Sequence, residues 1–331
     1  MDQSFRAYRL HLSDGNIRGE LETINRAELK PGDILVRVEY SSINYKDALA
    51  ATGTGRIVRE FPLIAGIDLA GEVLESSDDR FHPGDKVLAI GCGQSETRDG
   101  GYAELAHVDA ECAMHIPDSM DTRTVMALGT AGFTAALAVH RMEQNGQRPE
   151  LGPIVVTGAT GGVGSVAIDL LSSRGYEVTA LTGKDEQQRY LESLGATEVI
   201  DRKTLELGTK PLEHAIWGGA IDNLGGEILA WLTRTVRPSG NIASVGLVAG
   251  PELETTVMPF ILRGVSLLGI NMEVGHELRA ELWERLGSDL RPRHLERIVA
   301  REVGLSELPG CFDAYMNGSA IGRTLVRIQE S

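Results

Sequence analysis

The chain contains too few cysteines and too little positive charge for several classes of protein. Its three cysteines, Cys92, Cys112 and Cys311, are far apart in sequence and odd in number. Such usage predicts a reducing compartment and no disulfide framework. The formal net charge of −15 gives no general attraction to nucleic acid or to anionic membranes. We therefore expect neither as a partner.

Targeting, membrane and metal signals are also missing from the sequence. Residues 1–6 form no apolar signal region, and no segment approaches the roughly 20 apolar residues that a membrane span needs. These absences favour a cytoplasmic protein. There is no Cys-x-x-Cys cluster of the kind that holds structural zinc.

Glycine, in contrast, is abundant. The chain has 39 glycines among 331 residues, against a typical share of about 7%. This excess is typical of many tight turns between strands and helices, and it argues against a helical bundle.

The first third of the chain is predicted to be rich in β-strands. Short apolar or alternating runs occupy Ile34–Tyr40, Leu69–Leu74 and Lys86–Ile90, and Pro-Gly-Asp turns precede two of them. This pattern favours a compact, partly closed barrel.

The rest of the chain alternates between strands and helices, which predicts an α/β fold. A helical pattern over 122–142 comes first, and the later segments predict parallel pairing with right-handed crossovers. The predicted strands are Ile154–Thr157, Glu177–Leu181, Glu198–Ile200, Ala220–Asp222, Asn241–Val245 and Val265–Gly269, with helices at Ser165–Arg174, Asp185–Leu194 and Glu277–Leu290. We expect a doubly wound parallel (Rossmann) sheet, and a last strand at Arg323–Ile328 that returns to the first domain.

A glycine cluster follows the first of these strands. Gly158, Gly161 and Gly164 keep the G-x-x-G-x-x-G spacing, with Gly162 added. Between a strand and a helix, this spacing lets the backbone approach a pyrophosphate that the helix N-terminus can bind. The residues expected at the diphosphate are Thr160, Gly161, Gly162, Val163 and Gly164. The alternative is a purely structural strand–helix connection.

The end of the second strand of this sheet distinguishes NAD from NADP. A carboxylate there binds the ribose 2′-hydroxyl, whereas a basic residue accommodates a 2′-phosphate. The chain has Thr182-Gly183-Lys184 at this position, and Asp185 is expected to cap the following helix. The sequence therefore predicts NADPH, with a solvated surface lysine as the alternative for Lys184.

Several further motifs give the chain a family resemblance. It resembles the medium-chain dehydrogenase/reductase superfamily, within it the zinc-free quinone-oxidoreductase-like branch, and most closely the NADPH-dependent acryloyl-CoA reductase group. Besides the glycine turn, the resemblance is carried by residues 41–49, 61–71, 129–135, 256–263 and 322–326.

The resemblance implies a GroES-like catalytic domain (1–125 and 273–331) and an inserted NADP-binding Rossmann domain (126–272). It implies NADPH-linked reduction of a C=C bond conjugated to a carbonyl, typically acryloyl-CoA to propionyl-CoA, and a homodimer. In this reaction hydride adds to the β-carbon and a proton to the α-carbon. A quinone or small-enone reductase, and a non-catalytic NADPH-binding protein, remain alternatives.

The chain departs from its relatives at two kinds of position. Thr182-Gly183-Lys184 replaces Ser-Gly-Arg, and Glu198 replaces an arginine that some members carry, so the NADPH preference is expected to be weaker. Zinc members carry a cysteine and a His-Glu pair where this chain has Asn44–Asp47 and Gly66-Ile67-Asp68. We therefore expect no metal.

The same resemblance indicates the catalytic residues. Tyr45 is the candidate proton donor and also contacts the cofactor, Asn44 orients substrate or cofactor, and Lys46 or Asp47 polarises Tyr45. Alternatively, water supplies the proton while Tyr45 only packs, and Lys46 pairs with Asp47. Arg323 is assigned to the cofactor.

Other candidates line the expected ligand sites. Thr130 is predicted to reach the cofactor, Thr134 to pack, and the backbone at Leu247 to bind the nicotinamide carboxamide. Arg56 and Arg59 are candidates for the phosphates of an acyl-CoA substrate, with solvated loop arginines as the alternative.

Overall fold

The computed structural model describes residues 4–329, and the chain forms two compact units. Unit 1 comprises Met1–Thr130, Glu273–Ser288 and Val299–Ser331, and unit 2 comprises Ala131–Met272 and Asp289–Ile298. Unit 1 is thus discontinuous. Its first boundary falls five residues later than the sequence analysis placed it, and unit 2 takes in the additional segment 289–298.

The regular elements of the described residues are as follows. The strands are β1 (Ser4–Ser13), β2 (Asn16–Asn25), β3 (Ile34–Ile43), β4 (Leu63–Ile64), β5 (Asp68–Ser76), β6 (Lys86–Ile90), β7 (Leu105–Val108), β8 (Met114–His115), β9 (Ile154–Thr157), β10 (Val178–Thr182), β11 (Glu198–Asp201), β12 (Trp217–Asp222), β13 (Val236–Ser244), β14 (Ser266–Gly269), β15 (Val299–Val303) and β16 (Arg323–Arg327). The α-helices are α1 (Tyr45–Thr52), α2 (Thr122–Gln144), α3 (Gly162–Ser173), α4 (Gln188–Ser193), α5 (Gly226–Thr235), α6 (Met258–Arg263), α7 (His276–Gly287), α8 (Leu295–Ile298) and α9 (Leu308–Met316).

Unit 1 is built from two mainly antiparallel sheets. One has the order β2-β1-β4, and the other has the order β15-β16-β3-β5-β6-β8, with β7 paired to β3. Strand β16 pairs antiparallel with β3, so that Thr324 faces Ile43, which confirms that the last strand returns to the first domain. Buried apolar side chains such as Val36 and Leu69 form the hydrophobic core of this unit. The pairing of β16 with β3 places residues near the end of the chain beside residues near position 43.

Unit 2 contains the doubly wound sheet that the sequence predicts. Its strand order is β11-β10-β9-β12-β13-β14, and all five neighbouring pairs are parallel. The order reverses between β9 and β12, and ligands of such sheets bind at this reversal, beyond the carboxyl ends of the strands. The glycine turn follows β9 directly, so it lies at that point.

Helix α2 differs from the continuous helix that the sequence predicts. It is interrupted at Gly129, whose backbone angles (φ 51, ψ −154) are non-helical. By length and composition α2 also meets the membrane-span criterion that the sequence analysis found unmet, although 89% of its most apolar window is buried in the structure. A buried core helix passes the same test, so this helix is weak evidence for a membrane.

The prediction that the cysteines form no disulfide is wrong for two of them. Cys92 and Cys112 are disulfide-bonded, with their Cα atoms 6.0 Å apart, whereas Cys311 is free and buried. Cys92 follows β6 and Cys112 precedes β8, and these strands pair antiparallel, which brings together two residues that are distant in sequence. Cysteine usage therefore no longer supports a reducing compartment.

Candidate cofactor-binding and catalytic residues

Two glycines of the turn after β9 are required by the turn itself. Gly158 has φ +57, a conformation that glycine adopts without penalty. At Gly164, a Cβ atom would lie 2.5 Å from the carbonyl oxygen of Gly158. A side chain is therefore excluded at position 164 by the chain's own backbone.

Gly161 is different, because nothing among residues 4–329 requires it to be glycine. It occupies the N-cap of α3 with φ −78 and ψ 173, angles that any residue adopts. Among the atoms that the structure describes, a Cβ atom there would meet only the carbonyl oxygen of Gly158, at 3.4 Å. No described side chain forms a capping hydrogen bond at this helix N-terminus. The open space beside Gly161 and the uncapped N–H groups fit a diphosphate.

The turn is braced by residues that the sequence analysis missed. Thr157 Oγ1 donates a hydrogen bond to Asp222 Oδ1 (2.7 Å). The side-chain amide nitrogen of Asn223 donates one to the Thr157 carbonyl oxygen (2.7 Å). Burial raises the pKa of Asp222. Among residues 4–329, the buried Asn223 Oδ1 has no hydrogen-bond partner. Because β12 lies beside β9 only in the folded sheet, the sequence order gave no signal for these residues.

Thr182 is the last residue of β10, and Gly183 and Lys184 follow it at the same edge of the sheet as the glycine turn. Thr182 Oγ1 accepts a hydrogen bond from the Lys184 backbone N–H (3.0 Å). Partial burial lowers the pKa of Lys184. The sequence predicts that Asp185 caps the next helix, and this prediction is wrong. Asp185 is instead the first residue of a short 3₁₀ turn that precedes α4.

A second cation lies beside Gly183. Arg202 follows β11, and its Nη2 atom lies 3.5 Å from the ideal Cβ position of Gly183. Glu198 faces Thr179 near the start of the strand pair, three residues before the Thr182–Asp201 pair. Glu198 therefore lies at the end of this strand pair that is away from Gly183. Sequence order gives no signal for Arg202, because strand register decides which end of β11 meets Gly183.

The remaining candidates of unit 2 have contrasting exposure. Leu247, three residues past β13, is 64% exposed, whereas Thr134 is buried. Thr160 is also buried. The exposure of Leu247 leaves the predicted backbone contact of this segment with a ligand sterically feasible.

In unit 1, the start of α1 carries the predicted catalytic residues. Tyr45, the first helical residue, is 39% exposed. Asp47 is fully buried, and its carboxylate accepts the backbone N–H groups of Asn44 (2.8 Å) and Ile67 (2.9 Å). The alternative pairing of Lys46 with Asp47 is wrong, because Lys46 forms its ion pair with Glu96. Asp47 thus caps α1 and ties it to the start of β5.

Replacing Asp47 with asparagine should change how stability depends on pH. Burial and the charge of Asp68 raise the pKa of Asp47 from 3.8 to about 7, so between these values the folded protein holds a proton that the unfolded chain has released. Stability from this group is therefore lost as pH rises towards 7. Relative to Asp47→Asn, the wild type should lose up to about 1.4 kcal/mol per pH unit in urea unfolding; a pH-independent difference would contradict this assignment.

A buried polar cluster surrounds Asp68 at the start of β5. Its Oδ2 accepts hydrogen bonds from Ser42 Oγ (2.6 Å), Asn44 Nδ2 (2.8 Å) and the Thr130 backbone N–H (2.9 Å). Its Oδ1 accepts one from the Thr130 hydroxyl (2.5 Å). We call Ser42, Asn44, Asp68, Thr130 and Arg323 the Asp68 cluster.

Arg323 supplies the positive charge of the Asp68 cluster. It is 1% exposed, and its guanidinium donates to Ser42 Oγ (2.6 Å), to Asn44 Oδ1 (3.0 Å) and to backbone carbonyls. Both ends of the Asn44 amide are therefore held by the protein. Arg323 as placed here orients Asn44, which differs from the direct cofactor contact expected from the sequence.

The predicted substrate residues Arg56 and Arg59 are both exposed, in the loop after α1. Within residues 4–329, no group of three or more His, Cys, Asp or Glu side chains is arranged to hold a metal ion.

Comparison with known proteins agrees with this architecture. The family described as "Alcohol dehydrogenase GroES-like domain" matches residues 30–118, and "Zinc-binding dehydrogenase" matches residues 162–288. The chain is 44% identical over 318 residues to the acrylyl-CoA reductase AcuI of Ruegeria pomeroyi (95% of this chain, 96% of AcuI).

Two other relatives have solved structures. YhfP of Bacillus subtilis, provisionally named a quinone oxidoreductase, is 46% identical over 330 residues (99% of this chain, all of YhfP). Its NAD-bound crystal structure gives a TM-score of 0.96 over 98% of this chain and all of that chain. The yhdH oxidoreductase of Salmonella enterica in complex with NADP gives 0.95 at 43% identity, with the same coverage of both chains. This chain belongs to the medium-chain dehydrogenase/reductase superfamily.

Proposed function

We propose that the protein is an NADPH-dependent reductase of the C=C bond of an α,β-unsaturated acyl-CoA, with acryloyl-CoA as substrate and propionyl-CoA as product. The observation that carries the assignment of NADPH is the pair of cations, Lys184 and Arg202, next to Gly183 at the carboxyl end of β10. The 44% identity to AcuI supports the substrate class.

The cofactor is assigned to the carboxyl edge of the sheet in unit 2. The backbone from Thr160 to Gly164 binds the diphosphate, and the segment Thr182–Lys184 together with Arg202 binds the 2′-phosphate. The backbone at Leu247 binds the nicotinamide carboxamide. The unpartnered Asn223 Oδ1 is a further acceptor at this edge. Tyr45 and Thr130 are the further residues that we propose for cofactor binding.

When bound, NADPH supplies a hydride to the β-carbon of the substrate. The chain itself supplies the proton and the orientation. We assign proton donation at the α-carbon to the Tyr45 hydroxyl, and orientation of ligand groups to Asn44, which the Asp68 cluster holds in place. Asp47 fixes the start of α1 instead of polarising Tyr45. The exposed Arg56 and Arg59 bind phosphates of the CoA moiety.

Tyr45→Phe provides the test of the proton donor. The variant should lower kcat with acryloyl-CoA by about 10²-fold while it leaves the NADPH Kd within twofold. Because Tyr45 is exposed at the first position of α1, the change should not affect folding. An unchanged kcat would assign the proton to water.

A quinone or small-enone reductase is the second candidate function, because the 46%-identical YhfP carries a quinone oxidoreductase name. The discriminating experiment follows NADPH oxidation with acryloyl-CoA, crotonyl-CoA and a small quinone, each also with NADH. Our proposal predicts the highest kcat/KM for acryloyl-CoA with NADPH. Turnover of the quinone alone would support the second candidate. NADPH binding without any turnover would support the non-catalytic alternative.

We also propose that the protein forms a homodimer through unit 2. Strand β14 lies at the edge of the six-stranded sheet, and an exposed edge strand can pair with a second copy. The preceding α6 region exposes large apolar side chains, including Val257 (67%) and Ile261 (71%). Such a patch is typical of an interface.

A further inference from the structure

The break in α2 joins the helix to the Asp68 cluster. A Cβ atom at Gly129 would lie 2.5 Å from Asp68 Oδ2 and 2.6 Å from Ser42 Oγ, so only glycine lets the chain pass this close. The helical segment after the break begins at Thr130. The carboxylate of Asp68 accepts the Thr130 backbone N–H, and a negative charge at a helix N-terminus is favourable.

The two oxygens of Asp68 have separate tasks. Oδ2 receives three donors, from Ser42, Asn44 and the Thr130 backbone, and Arg323 Nη2 lies 3.9 Å from it. Oδ1 accepts a hydrogen bond from the Thr130 hydroxyl (2.5 Å between the two oxygens). Oδ2 therefore holds the Asp68 cluster together, while Oδ1 makes the Thr130 hydroxyl the donor in the hydrogen bond between them.

That direction limits what Thr130 offers to a ligand. A hydroxyl has one proton and two lone pairs, and the hydroxyl proton of Thr130 is used in its hydrogen bond to Asp68. Towards a ligand, the oxygen of this half-buried residue acts as an acceptor. It therefore suits a hydroxyl or amide N–H and not a carbonyl or a phosphate oxygen.

We propose that Asp68 is a positioning residue that makes the Thr130 hydroxyl an obligatory hydrogen-bond acceptor for a ribose hydroxyl or carboxamide N–H of the bound nicotinamide nucleotide. This inference rests on the proposed NADPH-binding function and deepens it. It assigns Asp68, which lies where zinc members of the family carry part of a metal site, a role in ligand recognition.

Asp68→Asn should reverse the direction of the hydrogen bond between the Thr130 hydroxyl and residue 68, with little change in the shape of the side chain. If the asparagine oxygen takes the Oδ2 position, its three accepted hydrogen bonds are kept, and the NH₂ group faces the Thr130 hydroxyl. The hydroxyl must then accept from residue 68 and turn its proton outwards. The opposite orientation of the amide would place NH₂ against three donors and is disfavoured.

The test is a double-mutant cycle on NADPH affinity, measured by cofactor fluorescence without substrate. Asp68→Asn and Thr130→Val should each raise the NADPH Kd about 10-fold or more, and the double variant should be no worse than Thr130→Val. Thr130→Ser, which keeps the hydroxyl, should stay within about threefold of the wild type. Asp99→Asn, a second buried carboxylate of unit 1 that accepts backbone N–H groups, is the matched control and should bind normally.

Other results of these affinity measurements would contradict the role assigned to Asp68 or the proposed function. A wild-type Kd for Asp68→Asn, or effects that multiply in the double variant, would overturn the inference. If Asp68→Asn does not fold, equal affinities of Thr130→Val and Thr130→Ser would overturn it. If the wild type itself does not bind NADPH, the proposed function fails. Because no substrate is present, loss of the acyl-CoA assignment alone does not affect this test.

Discussion

Gly161→Ala is expected to raise the NADPH Kd by on the order of 100-fold, or about 2.8 kcal/mol, while the protein stays folded. The backbone angles at Gly161 suit alanine, and its Cβ would make one ordinary contact with the part of the chain that the structure describes. Such a substitution can even stabilise a protein by about 0.4–1 kcal/mol. The added methyl group would instead occupy the space that the diphosphate needs.

Cofactor titration and thermal unfolding of the same samples check this expectation. Gly310→Ala is the matched control, because Gly310 lies in α9 and, apart from that helix's own backbone and the adjoining residues, no described atom lies within 4 Å of its Cβ position. Its NADPH Kd should equal that of the wild type. If Gly161→Ala bound NADPH as tightly as the control, the diphosphate would not lie at this turn.

The second large effect is expected from Lys184 and Arg202 together. Each alanine variant should weaken NADPH binding about tenfold, and the double variant by about 100-fold, since hydrogen bonds to charged groups contribute about 1.5–3 kcal/mol. NADH binding should stay within twofold, because NADH lacks the 2′-phosphate. The ratio of the two Kd values, measured by fluorescence titration, is therefore the readout.

Lys203→Ala is the control for this pair, because Lys203 is the exposed neighbour of Arg202 in the same 3₁₀ turn. It should leave the NADPH-to-NADH ratio unchanged. Equal losses for NADPH and NADH in the double variant would show that the two cations do not bind the 2′-phosphate.

Local sequence patterns predicted the sheet of unit 2 and its glycine turn because both depend on neighbouring residues. Strand β9, Gly158 and α3 follow one another along the chain, so periodicity and glycine spacing carry the information. The same holds for β3 and β6. The element boundaries moved by a few residues, as at β13, which begins at Val236.

Features that depend on strand register were not predictable in this way. Arg202 reaches Gly183 through the parallel pairing of β10 and β11, and Cys92 meets Cys112 through the pairing of β6 and β8. The Asp68 cluster collects residues from β3, the N-cap of α1, β5, α2 and β16, so its members are up to 281 residues apart in sequence. The N-cap role of Asp185 failed for a local reason, since the 3₁₀ turn that precedes α4 begins at Asp185 itself.

Isotope transfer from the cofactor tests the central claim most directly. The protein is incubated with acryloyl-CoA and NADPH that carries deuterium at both C4 positions, and the product is analysed by mass spectrometry and NMR. The proposed reaction predicts propionyl-CoA with one deuterium on the β-carbon and an α-proton from solvent. Deuterium on the α-carbon, or oxidation of NADPH without any labelled propionyl-CoA, would contradict it.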